Sequence, residues 1–322
     1  MSALTVTALA SELINYVDSS KGILMNKVVK DQLPDVFTPV ADVKTKVPIT
    51  DILIGDIAQP GGKNTFNATA GAVVIANRYL EVFPAKVDLL FSHTEIVTLH
   101  KMYLGQVDSG KIDPQNLPLE EYLFAKIISR FRKNVAWAMF KGVLNPSGTG
   151  KVDILNGLLT LITTDVASGA IPAANVKQYG SATPITNANA LDIVSDLQDV
   201  ASLNDDYGDE DMVVLMGKDK RRMYNKDYQA TNGALPYNTN FDKQKVDGTD
   251  NDLIGVPFMN GSNRLIQTPK ENLFYGYDSE AGLDTIIVER FERNIKIMMD
   301  VYIGVNYGAA ELVWVNNYTG IA

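Results

Sequence analysis

VKTKVPITDILIGDIAQPGGKNTFNATAGAVVIANRYL, the run from Val43 to Leu80, decides the reading of this chain. Val43, Thr45, Val47 and Ile49 alternate on the way out, the two-residue period of a strand. A glycine-rich tip follows, Gln59-Pro60-Gly61-Gly62-Lys63-Asn64, and the chain returns through Ala72-Val73-Val74-Ile75-Ala76 and Tyr79-Leu80-Glu81-Val82. Each limb extends for about 40 Å at ~3.3 Å per residue, too long to lie on the body of a small domain. A lone hairpin is only marginally stable in water, so another copy of the chain is expected to supply the missing partner surface. That points to a building block before it points to an enzyme.

Composition bounds the rest. The chain has 322 residues, enough to bury a substantial core in one large domain or two smaller ones. Hydrophobic residues at 46% and charged residues at 21% are ordinary for a globular protein. No window approaches the length of an uncharged apolar span, so no membrane crossing is expected. Met1-Ser2-Ala3-Leu4-Thr5 lacks the basic start and unbroken apolar run of a secretory signal. With no cysteine, disulfides, thiolate catalysis and cysteine metal sites are excluded. A net charge of −9 argues against phosphate-backbone binding as the main activity, while leaving room for a local basic face.

Outward from the hairpin, Ser11 to Val17 suits a short helix, and Asp35 to Val40 an extended arm in which Pro34 and Pro39 oppose helix. Pro84 to Leu90 reads as a lead-in to a helix over Thr94 to Leu104. From Pro118, Leu119, Leu123, Ile127, Phe131, Val135 and Met139 recur every four residues, widened by Tyr122 and Ile128, and predict a long amphipathic helix to Leu144. Glu120 and Glu121 suit its positive end, and Arg130, Arg132, Lys133 and Lys141 lie towards the other. Beyond it, a helix capped by Asn187 or Asn189 carries Leu191, Val194, Leu197 and Ala201. Met212 to Met216 is a buried strand, Lys218 to Tyr228 a polar helix, and Gln229 to Asp252 a polar loop before Leu253-Ile254-Gly255-Val256-Pro257-Phe258. Thr285 to Phe291, Ile295 to Ile303 and Glu311 to Val315 read as strands.

Several patterns suggest chemistry and then fail. Asn145 to Lys151 (NPSGTGK) imitates a phosphate-binding loop, but Asn145 stands where that motif needs glycine and Val152 where it needs Ser or Thr. It also follows a helix rather than a strand, so a helix-ending turn is the reading. His93 and His100, the two histidines, are two helical turns apart and too distant to chelate together. Asp205 to Asp211 and Asp247 to Asp252 lack the alternating ligand spacing of a calcium loop. No metal, cofactor or catalytic set is expected. Arg130, Arg132 and Lys133 are the compact basic group, read as an exposed helix face, inter-subunit ion pairs or an inner-face contact.

The order of elements carries more than any motif. An extended arm, a long hairpin, a long amphipathic helix, an α/β insertion and closing strands resemble the major capsid proteins of tailed bacteriophages, the α+β Hong Kong 97-type fold. The helix through Leu191 to Leu203, the strand Met212 to Met216, the helix Lys218 to Tyr228 and the Leu253 to Phe258 stretch are similar to that family's axial domain. The resemblance implies an N-terminal arm (1–41), an E-loop hairpin (42–88), a peripheral domain with the spine helix (89–154), an axial domain (155–278) and peripheral return strands (279–322). It implies self-assembly through hexamers and pentamers, with Gln59, Pro60, Gly61, Gly62, Lys63 and Asn64 between subunits. It also implies portal, scaffolding and decoration partners, non-specifically packaged double-stranded DNA, no membrane, and a place in a virion assembled in bacterial cytoplasm. No charged coiled-coil segment precedes the arm in these residues; for a chain that is the full product, the resemblance then implies a separate scaffold or none. An encapsulin-like compartment, a tail-tube protein and, in a different class, a soluble α/β enzyme remain alternatives.

Overall fold

The computed structural model of the chain describes residues 9–17, 19, 33, 35–54, 57–58, 73–111, 113, 118–179, 184–203, 212–233, 242–278 and 286–318, with backbone alone at 50–54 and 73–77. In chain order its elements are α1 (9–17), β1 (Thr38–Val40), β2 (Lys46–Ile54), β3 (Val73–Glu81), β4 (Phe83–Phe91), α2 (His93–Asp108), α3 (Leu119–Lys141) and α4 (Leu158–Ser168). There follow β5 (Val176–Lys177), α5 (Ala190–Ser202), β6 (Met212–Gly217), α6 (Lys218–Thr231), β7 (Asp252–Val256), β8 (Ile266–Pro269), β9 (Leu273–Tyr277), β10 (Ile287–Phe291), β11 (Asn294–Tyr307) and β12 (Trp314–Asn316).

The hairpin forms as the alternation predicts. β2 and β3 pair antiparallel from Lys46↔Glu81 out to Ile54↔Val73, and among the described residues they form a two-stranded sheet of their own. The other strands make two five-stranded sheets, so the fold is α+β. The first is built on β11, 14 residues long, with β4 along one side and β9 and β10 along the other; β1 joins β9 in parallel. The second runs β5-β12-β8-β6-β7 and mixes parallel with antiparallel pairs.

α3 is about 35 Å long at ~1.5 Å per residue. It buries Leu119, Leu123, Phe124, Ile128, Phe131, Val135 and Met139 against the first sheet's core, with Ile127 at the margin. Pro118 is its N-cap rather than its first helical residue. The helix stops at Lys141, not Leu144, because the chain crosses itself tightly at Gly142 and Gly157. A Cβ on either would lie 2.6 Å from the Ala138 carbonyl oxygen, and Gly157 donates its N–H to the Gly142 carbonyl at 2.9 Å. A smaller core joins α5, α6, β6 and Trp314; every residue of β6 is buried, as its unbroken apolar run requires.

Other expectations need correction. Pro84 to Leu90 is no lead-in but most of β4, paired with β11 from Phe83↔Ile303 to Phe91↔Ile295. α2 starts one residue earlier than expected, at His93, where Ser92 and Glu95 form a reciprocal capping box, and it runs four residues further, to Asp108. Asn189 is the N-cap of α5, yet its side chain accepts from the Thr186 N–H at 2.7 Å instead of capping the helix. α6 runs to Thr231, and Glu311 and Leu312 lie in a turn before β12. β9 belongs with β11 in the first sheet, and β12 returns to β8 and β5 in the second. The described part of the N-terminal region is docked, not free. Leu9, Leu13 and Val17 are buried, Tyr16 packs on Phe124 at 5.7 Å between ring centroids, and β1 pairs with β9.

Candidate assembly surfaces

The hairpin is rooted in the first sheet by a close backbone crossing. Gly276 of β9 and Gly304 of β11 are direct cross-strand partners, and the end of β3 passes over them. A Cβ on Gly304 would sit 2.9 Å from the Glu81 carbonyl carbon, and one on Gly276 2.9 Å from Leu80 Cδ2. Side chains at this pair would hold the hairpin off the sheet. Their absence lets Leu80 become fully buried, and Val43 at the hairpin entry is fully buried too. The entry and exit of the hairpin are tied down as well: Val43 N–H donates to the Tyr277 carbonyl at 3.2 Å, and Val82 N–H to the Thr45 carbonyl at 3.0 Å.

A polar clamp fixes the angle of the root. Arg78 of β3 stacks on the Tyr307 ring at 3.9 Å, donates Nε to Asn306 Oδ1 at 3.0 Å and pairs through Nη2 with Asp165 of α4. Asn306 in turn donates Nδ2 to the Tyr79 carbonyl at 2.7 Å, and Tyr307 donates its hydroxyl to Asp165. Burial pushes the Tyr307 phenol well above its ordinary range, the Arg78 charge opposes this, and the bond to Asp165 adds to it; the hydroxyl stays a donor. The clamp thus joins β3, β11 and α4. Nothing in the sequence nominates Arg78, Asp165 or Tyr307, since the contact spans 87 and 142 residues. Ile49 of the hairpin lies close to Gly308, where a Cβ would sit 3.5 Å from its Cγ2. Gln59, Pro60, Gly61, Gly62, Lys63 and Asn64, expected at the tip, lie outside the described residues.

The basic trio does not form one group. Arg130 and Lys133 are exposed on one face of α3, whereas Arg132, partly buried, is turned away from Arg130 by about 160° at 3.6 residues per turn. Lys126, which sequence reasoning passed over, shares the Arg130 face one turn earlier.

The other motifs of the sequence fall on turns, helix ends and loops. Asn145 to Lys151 is a turn after α3 whose Gly150 N–H is already taken by the Asp153 carboxylate at 2.8 Å, where a phosphate would need it. His93 is exposed at the start of α2 and His100 partly buried; among the described residues no three metal-ligating side chains come together. Asp205 to Asp211 lie outside the described residues. Asp247, Asp250 and Asp252 are engaged by Lys243, Lys245 and Lys270 respectively, which neutralises that loop. An open cleft of about 610 Å³ is lined by Asp35, Val36, Thr38, Asp252, Ile254, Lys270 and Glu271, with no serine or histidine among them. Among the described residues no helix is long and apolar enough to cross a membrane.

No family model matches the chain, and no curated protein matches it in sequence. Solved structures do match. A chain of the satellite phage P4 procapsid, in a structure that includes the size determination (Sid) protein, is 14% identical with a TM-score of 0.55, over 91% of this chain and 97% of that one. The capsid of a native GTA particle is 14% identical with a TM-score of 0.54, over 91% and 100%. The capsid of the Myoviridae phage XM1 is 14% identical with a TM-score of 0.51, over 85% and 86%. At such identity the likeness is one of fold: the chain has the fold of phage capsid proteins.

Proposed function

We propose that the chain is a major capsid protein, a structural protein and not an enzyme, that self-assembles into the icosahedral shell around the double-stranded DNA of a tailed phage. The carrying observation is a capsid fold that extends over 91% of the chain, together with a hairpin that, among the described residues, forms a two-stranded sheet of its own. On this reading the β11 sheet and α3 form the peripheral body. The β6–β8 sheet with α5 and α6 forms the axial domain around which hexamers and pentamers close. β2 and β3 are the E-loop, and they reach an adjacent copy.

The root supports this mechanism. Gly276, Gly304 and the Arg78 clamp hold the hairpin base at one angle, so each subunit presents its limb in a defined direction. Obligate interfaces bury about 2,000–5,000 Å², and apolar burial contributes about 25 cal/mol per Å² before association costs. Many modest contacts close a strong shell while leaving each one correctable during assembly. Portal, scaffolding and decoration proteins would be its partners, and the virion, assembled in the bacterial cytoplasm, its location.

Electron microscopy of the purified protein tests the reading: closed shells of uniform diameter are expected, and monomers or small rings alone would refute it. Nuclease-protected DNA inside the particles separates a genome shell from a protein compartment. Deleting Pro60 to Asn64 should leave a folded subunit that assembles poorly; normal shells from that deletion would remove the tip from the mechanism.

A further inference from the structure

Charge along this acidic chain is unevenly spread. From Tyr122 to Val152 there are six cations, Lys126, Arg130, Arg132, Lys133, Lys141 and Lys151, and no carboxylate, in a protein of net charge −9. The structure sorts them. Lys141 is buried and donates to the Asn260 carbonyl at 2.6 Å, and Arg132 is turned aside. Lys126, Arg130 and Lys133 remain as an exposed rank on α3, at spacings of four and three residues, or roughly 5–6 Å along the axis. One turn further, Trp137 carries the exposed Lys151 on its ring at 4.3 Å, extending the rank beyond the helix. Among the described residues none of these four forms an ion pair with a carboxylate.

We infer that this face of α3, with Lys151, binds the phosphate backbone of the enclosed nucleic acid without sequence preference. The inference rests on the shell reading and adds to it the face that meets the genome. A regular rank of unpaired cations suits a polyanion whose charges recur every few ångströms. It suits a protein partner less well. Ser129 is the exposed position between the cations of α3 and Ala125 flanks them, and these offer little apolar area, whereas protein interface cores favour aromatic and apolar groups and deplete lysine. Contacts of this kind hold phosphate by charge and release counterions, so they are weak singly, additive over many copies and sensitive to salt.

The test measures binding of the purified subunit to a fluorescent 30-base-pair duplex across a salt series. The wild type is compared with Lys126→Gln/Arg130→Gln/Lys133→Gln and with a charge-matched control, Lys86→Gln/Lys101→Gln/Lys245→Gln. With three to four phosphates neutralised, wild-type affinity should fall roughly 40–150-fold between 50 and 200 mM salt, at a slope of about 0.9 per phosphate. The triple variant should lose most of that dependence, falling only about 4-fold, while the control behaves as wild type. Should the triple variant fail to fold, Arg130→Gln alone should lower the slope by about 0.9. Absence of wild-type binding, equal loss in the control, or unchanged binding by the triple variant each overturns the inference. So does a triple variant that binds duplex normally but fails to assemble, since the face would then serve a protein partner. Particle formation by the wild type is scored separately: shells without a duplex effect sink this inference alone, whereas no shells sink the reading beneath it.

Discussion

Gly304→Ala puts the hairpin root under direct strain. The new Cβ would meet backbone, 2.9 Å from the Glu81 carbonyl carbon and 3.3 Å from Val82 Cα, with the Glu81 oxygen nearer still. Backbone in a sheet cannot swing aside as a side-chain end can, so β3 must lift by about 1.5 Å to restore ordinary contact near 3.5 Å at the Glu81 oxygen. Lifting draws Tyr79 away from Asn306 and Arg78 away from Asn306 and Asp165, bonds now 2.7 and 3.0 Å long in the first two cases. Overpacking costs about 1–3 kcal/mol and each of the three weakened contacts about 1 kcal/mol, for about 4–6 kcal/mol together. At ~2.1 cal/mol/K per residue, this chain's Tm should drop by about 6–9 °C. Gly276→Ala is the internal comparison: its neighbours are the Leu80 and Val82 side chains, which can shift, so its loss should be smaller. Thermal unfolding of the unassembled subunit reads the stability, and electron microscopy reads shell yield, which should fall for Gly304→Ala. A Gly304→Ala Tm within about 1 °C of wild type, or a Gly276→Ala loss larger than that of Gly304→Ala, would refute the argument.

Three further perturbations probe the contacts behind this geometry. Leu13→Ala removes a fully buried anchor of α1 and should cost about 2–5 kcal/mol by denaturant unfolding; an unchanged midpoint would mean that α1 is not docked. Asp165→Asn leaves the Arg78 guanidinium without its counter-charge and should destabilise by about 1.5–3 kcal/mol, with less effect when Arg78 is already Met. Burial raises the Glu120 carboxyl, and its hydrogen bond with Glu12 of α1 raises it further, so the folded state binds that proton more tightly than the unfolded chain. Stability from this site is therefore full below the ordinary Glu value and lost as pH rises through the higher folded one. Glu120→Gln should match wild type near pH 4 and melt higher at pH 7; a constant difference across that range would contradict the linkage.

What the sequence discloses here is mostly local. The four-residue stripe from Leu119 to Met139 finds α3, the unbroken Met212 to Met216 run finds β6, and the alternation after Val43 finds the hairpin, because each depends on one element's own periodicity. β4 carried the same kind of signal in Phe83, Ala85, Val87, Leu89 and Phe91. Pro84 and the outward Lys86 and Asp88 masked it, as befits a strand with one exposed face. The end of α3 is not legible in its periodicity, because Gly142 is set by a crossing with Gly157, not by the helix. Non-local pairing was illegible: nothing in Trp314 to Asn316 says that β12 leaves β11 for β8, and nothing in Gly276 or Gly304 says that they lie side by side under Leu80. The basic face was half legible. Arg130 and Lys133 belong to it, but helix phase excludes Arg132 and admits Lys126, a distinction that counting residues would have made.

The central claim is that the hairpin, anchored at its root on its own body, completes itself on a neighbour. A near-atomic cryo-electron microscopy reconstruction of the assembled particle measures this directly. The outer parts of β2 and β3, beyond Ile49 and Arg78, should lie against the body of an adjacent copy, with the root still seated on Gly276 and Gly304. Particles in which those limbs rest on their own subunit and touch no other copy would contradict it.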